Sequence, residues 1–254
     1  MQQGNYQILY EQEHFLIVVK PSGLPTVPLS RDSEGRSLLI KVSHEFPEIM
    51  QSSGTYAHEG LVLHRLDTET CGLVLIARSK KFYSHIQDAQ RAGLFIKHYR
   101  AAVSPMPLIE GFPLQQPKNI EKCEMFIESW FRPYGVRRQA VRPVVSTSSP
   151  IALQKRGAAW YVTRVSPIGE NVYGDQVVQC ELNRGFRHQV RCHLAWSGTP
   201  IIGDSLYGGL HAESLSLAAT KMSFPNMESH EILNFQWNFS PEWAQTIDCD
   251  EKYI

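Results

Sequence analysis

A chain of 254 residues with 43% hydrophobic, 10% aromatic and 20% charged side chains has the balance of an ordinary folded protein; this excludes a disordered or fibrous chain and allows one large domain or two intimately packed halves. The start, MQQGNYQILYEQEH, has neither a basic lead nor an apolar run, and stretches such as Leu73 to Ala77 are far too short to span a bilayer, so secretion and membrane insertion are disfavoured. Five scattered cysteines, Cys71, Cys123, Cys180, Cys192 and Cys249, contain no C-x-x-C pair; they suggest neither a disulfide framework nor a zinc site and fit a reducing cytoplasm.

The formal net charge is zero, which at first argues against nucleic acid, since phosphate neutralisation supplies much of such affinity. The distribution reverses that impression. Between Arg132 and Arg164 stand seven basic residues (Arg132, Arg137, Arg138, Arg142, Lys155, Arg156, Arg164) and no acid, whereas Asn226 to Ile254 carries six acids and one lysine. A neutral total therefore conceals a candidate basic face, and charge alone leaves open whether it meets phosphate or only solvent.

In chain order, Gln7 to Lys20 reads as a strand with an early polar interruption, ended by the turn signal Lys20-Pro21-Ser22-Gly23. Ser37 to Phe46 has the helical spacing of Leu38, Leu39, Val42 and Phe46. LVLHRLDTETCGLVLIAR reads as two strand-like runs around a polar turn; alternation sets Leu61, Leu63, Arg65 and Asp67 on one side, with Asp67 at a strand end. Ser79 to Ala92 is an amphipathic helix, and Ile96 to Val103 a strand whose Lys97, Tyr99 and Ala101 share a face. Pro105 to Ser149, rich in proline, is expected to be a long excursion with one or two strands. Ala158 to Val165 and Gln176 to Leu182 return to strand composition. Arg187 to Trp196 reads as a helix between Asn183-Arg184-Gly185 and Ser197-Gly198, with Arg187 and Arg191 on one face and Val190 and Leu194 on the apolar side. After Gly209 there are short strand-like pieces and no motif.

Three segments gather charged and aromatic residues where element ends would collect them: His64-Arg65-Leu66-Asp67, Lys97-His98-Tyr99-Arg100 and Arg187-His188-Gln189-Val190-Arg191. Taken singly each has a plainer reading, a turn cap, a core tyrosine or a solvated helix face. Jointly, with their surroundings, they resemble the RluA-type pseudouridine synthases, which isomerise uridine in RNA. The H-R-L-D-x-x-T-S-G-L signature corresponds to His64-Arg65-Leu66-Asp67-Thr68-Glu69-Thr70-Cys71-Gly72-Leu73, and the V-x-K-P-x-G-L block to Val18-Val19-Lys20-Pro21-Ser22-Gly23-Leu24-Pro25. The K-x-Y-x-A block is similar to Lys97-His98-Tyr99-Arg100-Ala101. A late block runs from Gly185 through Arg187-His188-Gln189-Val190-Arg191 to Leu194, followed by Gly198-Thr199-Pro200-Ile201-Ile202-Gly203-Asp204-Ser205-Leu206-Tyr207-Gly208.

The resemblance implies an α+β fold, with a mixed, largely antiparallel central sheet, flanking helices and loops, and a central RNA-binding cleft. It implies a single catalytic domain over residues 1–254, its motifs within 15–208, with no separate RNA-binding domain ahead of Gln7. Asp67 is implied as the catalytic carboxylate, Tyr99 as the active-site tyrosine and Arg191 as the basic partner. Arg65, His64, Arg187 and Lys97 are expected at the substrate. The chemistry suits these side chains. The N1–C1′ bond must break, the uracil turn, and C5 bond to C1′; a carboxylate can attack or stabilise C1′, or help remove a sugar proton. A guanidinium keeps such a carboxylate ionised away from water, and a tyrosine offers a stacking surface and a phenol for the C5 proton. A stacked uridine must first be flipped out, which Arg65 would assist by filling the vacated space; a phosphate contact or structural ion pair is the rival role for Arg65.

The expected partner is structured RNA, tRNA or rRNA, bound by a cytoplasmic monomer. No cofactor is expected for a redox-neutral reaction that transfers no external group, and no P-loop or dinucleotide fingerprint is present. Two positions depart from the pattern: Phe186 stands where arginine is usual and Cys71 where serine is usual. Substrate choice is expected to rest on loops such as Pro105 to Ser149. A metal-dependent hydrolase is the rival enzyme class, but His188 and His193, five apart, miss the helical spacing that aims two ligands at one ion. A non-catalytic RNA-binding module is the rival outside enzymes; the intact set Asp67, Tyr99 and Arg191 argues against it.

Overall fold

In chain order the strands are β1 Gln7–Glu11, β2 Phe15–Lys20, β3 Cys71–Ala77, β4 Ile96–Val103, β5 Met125–Tyr134, β6 Ala140–Val144, β7 Tyr161–Glu170, β8 Gln176–Leu182, β9 Leu217–Pro225 and β10 Ile232–Gln236. The helices are α1 Leu38–Ser43, α2 Lys80–Arg91, α3 Pro150–Gln154 and α4 Gln189–Trp196. This computed structural model describes residues 5–28, 36–51, 59–113, 124–238 and 241–246. The chain packs as two compact units, Met1–Lys97 with Ala218–Ser240, and His98–Leu217 with Pro241–Ile254.

The first unit holds strands in the order β1, β2, β3, β9, β10. What reads as one strand over residues 7–20 is a hairpin: the polar Gln12-Glu13-His14 stays at the surface, the Gln12 amide closes on the Phe15 carbonyl at 2.9 Å, and β1 folds back on β2. All six residues of β2 are buried, as are Gly72 to Ala77 of β3, so neither strand shows a solvent-facing alternation. β2 and β3 pair antiparallel from Phe15 opposite Ala77 to Lys20 opposite Gly72. β3 pairs with β9 in parallel at Cys71 and Gly72. Gly72 is required there, because its φ of +112° disfavours any side chain and a Cβ would strike the Ala219 backbone. Ser37 and Ser79 cap α1 and α2, each accepting a bond from a first-turn amide. Phe15, Phe82, Phe224 and Phe235 form an aromatic core, with Phe15 stacked on Phe82 at 4.9 Å and Phe224 on Phe235 at 5.3 Å.

The second unit holds strands in the order β4, β8, β7, β5, β6. β7 pairs antiparallel with β8 and with β5, and β5 with β6. Phe131, Ala140, Val141, Cys192, Ala195 and Tyr207 make its core, with Phe186 packed against it. The excursion after Pro105 supplies β5 and β6; residues 114–123 of it lie outside the described residues. The architecture is the expected mixed, mostly antiparallel α+β arrangement.

Three local expectations are corrected. Residues 61–67 form no strand: only an isolated bridge, Val62 to Ile76, joins them to β3, so Asp67 sits in a loop before the turn at Thr68-Glu69 and not at a strand end. Leu61 and Leu63 are buried while Arg65 is exposed, so these do not share a face. Helix α4 starts at Gln189, after His188 in a left-handed conformation, and all eight of its residues are buried; Arg187 precedes it and shares no exposed face with Arg191.

Candidate active site

In the first unit, residues 61–63 lie along β3. The Leu61 carbonyl accepts from the Ala77 amide at 2.9 Å and the Leu63 amide donates to the Leu75 carbonyl at 3.1 Å. The ladder's next bond would take the Leu75 amide to the Leu63 carbonyl. Instead that amide donates to His64 Nε2 at 3.1 Å, and the Leu63 carbonyl accepts from Gln90 Nε2 at 2.7 Å. An imidazole thus replaces a backbone acceptor, and the chain is released from the sheet at His64. The ring is held against Phe95 at 5.4 Å. Burial, then the nearby Lys97 ammonium, pushes its pKa down to about 3, so the ring is neutral with Nδ1 protonated.

Beyond His64 the loop is fastened to residues 20–26. Thr26 Oγ1 donates to the Leu66 carbonyl at 2.9 Å and accepts from the Leu66 amide at 3.1 Å. The Thr68 carbonyl accepts from the Gly23 amide at 2.9 Å and from Lys20 Nζ at 2.9 Å. Lys20 Nζ also donates to the carbonyls of Leu24 at 2.6 Å and Pro21 at 2.9 Å. Ser22 Oγ donates to the Glu69 carbonyl at 2.7 Å, and the Thr70 amide to the Asp67 carbonyl at 3.1 Å. Asp67 is held half-buried by this frame. Burial brings the Lys20 ammonium down to about 8, opposed by Cys71 and Asp67. Burial raises the Cys71 thiol to about 11, which makes it a poor nucleophile at neutral pH.

Arg65 is exposed and its Nη1 meets Glu59 Oε1 at 2.6 Å, the ion pair weighed as its rival role. Lys97 is buried, its Nζ 5.0 Å from the centre of the Phe95 ring, and burial lowers it to about 8. His64 and Lys97 thus meet around Phe95 inside the first unit, a placement that gives their expected substrate contacts no support.

In the second unit Tyr99 is buried on β4, on the face it shares with Lys97 and Ala101. Arg191 is buried on α4, and its Nε and Nη2 grip both oxygens of Asp204 at 2.7 and 2.8 Å, with the Tyr207 ring 5.4 Å from the guanidinium carbon. Tyr207 OH accepts from the Val141 amide at 3.0 Å and bonds His188 Nδ1 at 3.1 Å. Asp204 and Tyr207 went unassigned in the sequence, although both stand inside the Gly198 to Gly208 block. Arg187, exposed, donates to the carbonyls of Arg138 at 2.6 Å and Ala140 at 3.2 Å, and so braces the β5–β6 turn. His193 lies inside the unit between Ser129 Oγ at 2.9 Å and Thr163 Oγ1 at 2.8 Å. Phe186 replaces a cation with a ring stacked on Phe131, the centroids 4.9 Å apart and the planes within 4°.

The basic stretch is only partly a surface. Arg142 is buried between the rings of Phe112 and Tyr134, at 4.5 and 4.3 Å, and Arg164 pairs with Glu124 at 2.7 Å. Arg137, Arg138, Lys155 and Arg156 remain exposed.

Residues 14–196 match the family model described as RNA pseudouridylate synthase. The chain belongs to this family. RNA pseudouridylate synthase relatives include the uncharacterized RNA pseudouridine synthase YjbO of Bacillus subtilis (strain 168), 29% identical over 242 residues that cover 94% of this chain and 75% of the relative. The dual-specificity RNA pseudouridine synthase RluA of Vibrio vulnificus is 26% identical over 247 residues, covering 95% of this chain and 87% of the relative. Among solved structures, human RNA Pseudouridylate Synthase Domain Containing 1 shares the fold with a TM-score of 0.67 at 18% identity, over 98% of this chain and 93% of that one. As an RNA pseudouridylate synthase of the RluA type, the chain is an isomerase. No helix among the described residues is long and apolar enough to cross a membrane.

Proposed function

We propose that this RNA pseudouridine synthase isomerises uridine in structured RNA with Asp67 as its catalytic carboxylate, Tyr99 as the active-site tyrosine and Arg191 as a basic residue of the active site. The observation that carries the reading is the Asp67 loop itself: the signature carboxylate sits in a loop bonded on both sides to residues 20–26, which span the end of a second family block and the residue after it. In the reaction the N1–C1′ bond breaks, uracil turns, C5 bonds to C1′, the C5 proton leaves and N1 gains a proton. Asp67 serves C1′, by attack or by removing a sugar proton, and both routes need it ionised. Tyr99 supplies a stacking face and a phenol that can take the C5 proton. Neither route calls for a cofactor.

Arg65, exposed beside the loop, fills the space of the flipped uridine in this reading. The substrates are tRNA or rRNA, a range supported by relatives named ribosomal large subunit pseudouridine synthase D and tRNA pseudouridine(31) synthase, and the enzyme is a cytoplasmic monomer. Tritium release from RNA labelled at uridine C5 tests the chemistry. Asp67→Asn is expected to abolish release while circular dichroism and RNA affinity are retained; substantial release from purified Asp67→Asn refutes the role. Arg65→Ala is expected to slow single-turnover release by about 10-fold or more with RNA affinity nearly unchanged. Equal losses in rate and affinity would assign Arg65 to phosphate binding. Mapping pseudouridines in a deletion strain against its parent identifies the RNA, and gel filtration tests the monomer.

A further inference from the structure

The loop that carries Asp67 has no strand or helix of its own, yet each of five consecutive peptide groups in it is bonded. The group joining Arg65 to Leu66 is held at the Leu66 amide by Thr26 Oγ1, and the next, joining Leu66 to Asp67, at the Leu66 carbonyl by the same hydroxyl. The group after Asp67 is held at the Asp67 carbonyl by the Thr70 amide. Lys20 and Gly23 hold the following one at the Thr68 carbonyl, and Ser22 the last at the Glu69 carbonyl. Thr26 is the hinge pin of this set: one buried hydroxyl, on a residue 3% exposed, fixes the two peptide planes that flank Leu66, the residue immediately before Asp67. Its two bonds reproduce those a neighbouring strand would make, at the place where the chain beyond His64 has left β3.

We propose that Thr26 is a positioning residue for uridine isomerisation, acting with Lys20 and Ser22 to aim the Asp67 carboxylate at the sugar carbon. The inference rests on the reading of Asp67 as the catalytic carboxylate. Reactions of this kind tolerate little misplacement: a shift of about 1 Å can cost roughly 10²-fold in rate, whereas RNA grip, spread over many phosphate contacts, does not feel it. Loss of the hydroxyl should therefore appear in the chemical step and spare the substrate affinity.

The test is Thr26→Val, nearly isosteric and without the hydroxyl, beside Thr26→Ser and Asp67→Asn in the tritium-release assay. Thr26→Val is expected to lower kcat by about 10- to 100-fold with KM for RNA within about 3-fold of the wild type, and Thr26→Ser to restore most of the rate. A folded Thr26→Val with wild-type kcat, or a loss that Thr26→Ser does not recover, overturns the inference. Should Thr26→Val not fold, Ser22→Ala removes one exposed bond from the same set and is expected to lower kcat by about 3-fold at constant KM; unchanged kcat then overturns the proposal. The two readings fail separately: an active Asp67→Asn removes the catalytic assignment, while an inactive Asp67→Asn beside a fully active Thr26→Val removes only the positioning role.

Discussion

Arg191 shows how a buried cation is held in one fixed geometry by its neighbours. Its guanidinium is buried, a costly state for a charge, and the bidentate bond to Asp204, itself 1% exposed, offsets that cost and fixes the plane of the fork. Asp204→Asn keeps the shape and removes the charge. It is expected to lower unfolding stability by about 3–5 kcal/mol, measured by urea titration, because the Arg191 charge stays buried without its carboxylate. An unchanged midpoint would show that other groups carry that charge. The sequence made Asp67 and Arg191 legible as candidates because they occupy motif positions. It did not show Asp204 as Arg191's partner, since the pairing depends on how the chain after Gly198 folds back on α4. Arg142 was equally opaque: one cation in a basic run, it lies between two aromatic rings and serves the core.

Among the elements, helices were read best, for spacing and caps are local: Ser37 opens α1 and Ser79 opens α2. The edge of β3 was read worst, because no periodicity reveals that the Leu75 amide is taken by an imidazole. Helix α4 is the intermediate case. Its position was legible, its surroundings were not, and burial on every side removes the amphipathic face that was expected. It is tied to β5 and β7 by His193, whose ring nitrogens reach Ser129 and Thr163, and by Gln189, which donates to Thr163 Oγ1 at 3.0 Å. Burial holds His193 at about 3 against the ordinary 6.5. The unfolded chain therefore takes up the proton first. The stability that this neutral ring contributes is complete above pH 6.5 and is lost as pH falls towards 3, at about 1.4 kcal/mol per pH unit, and His64 adds in the same sense. Urea midpoints are expected to fall between pH 7 and pH 5 in the wild type and more gently in His193→Gln. Equal slopes for the two proteins would rule out a neutral buried His193.

For the whole molecule, the α+β class was legible from strand-rich composition together with the family blocks, but strand order was not. The last third appeared as short pieces without a motif, yet it supplies β9, buried along nearly its whole length. A strand covered on both faces loses its alternation, and a parallel pairing with Cys71 and Gly72 leaves no trace in local spacing. The equality of 25 basic and 25 acidic residues was likewise uninformative until the structure was known, since Arg142 is buried, Arg164 is exposed but paired with Glu124, and Arg137, Arg138, Lys155 and Arg156 are left facing solvent. The late arrival of β9 also bears on synthesis. The edge of β3 nearest the Asp67 loop receives its partner from residues made almost 150 positions later, an interval of roughly 7 to 30 s on a translating ribosome. Until then the nascent protein carries an uncapped sheet margin at Cys71 and Gly72, beside the Asp67 loop, open to mispairing with other chains, and the sheet is complete only once one of the last strands has emerged.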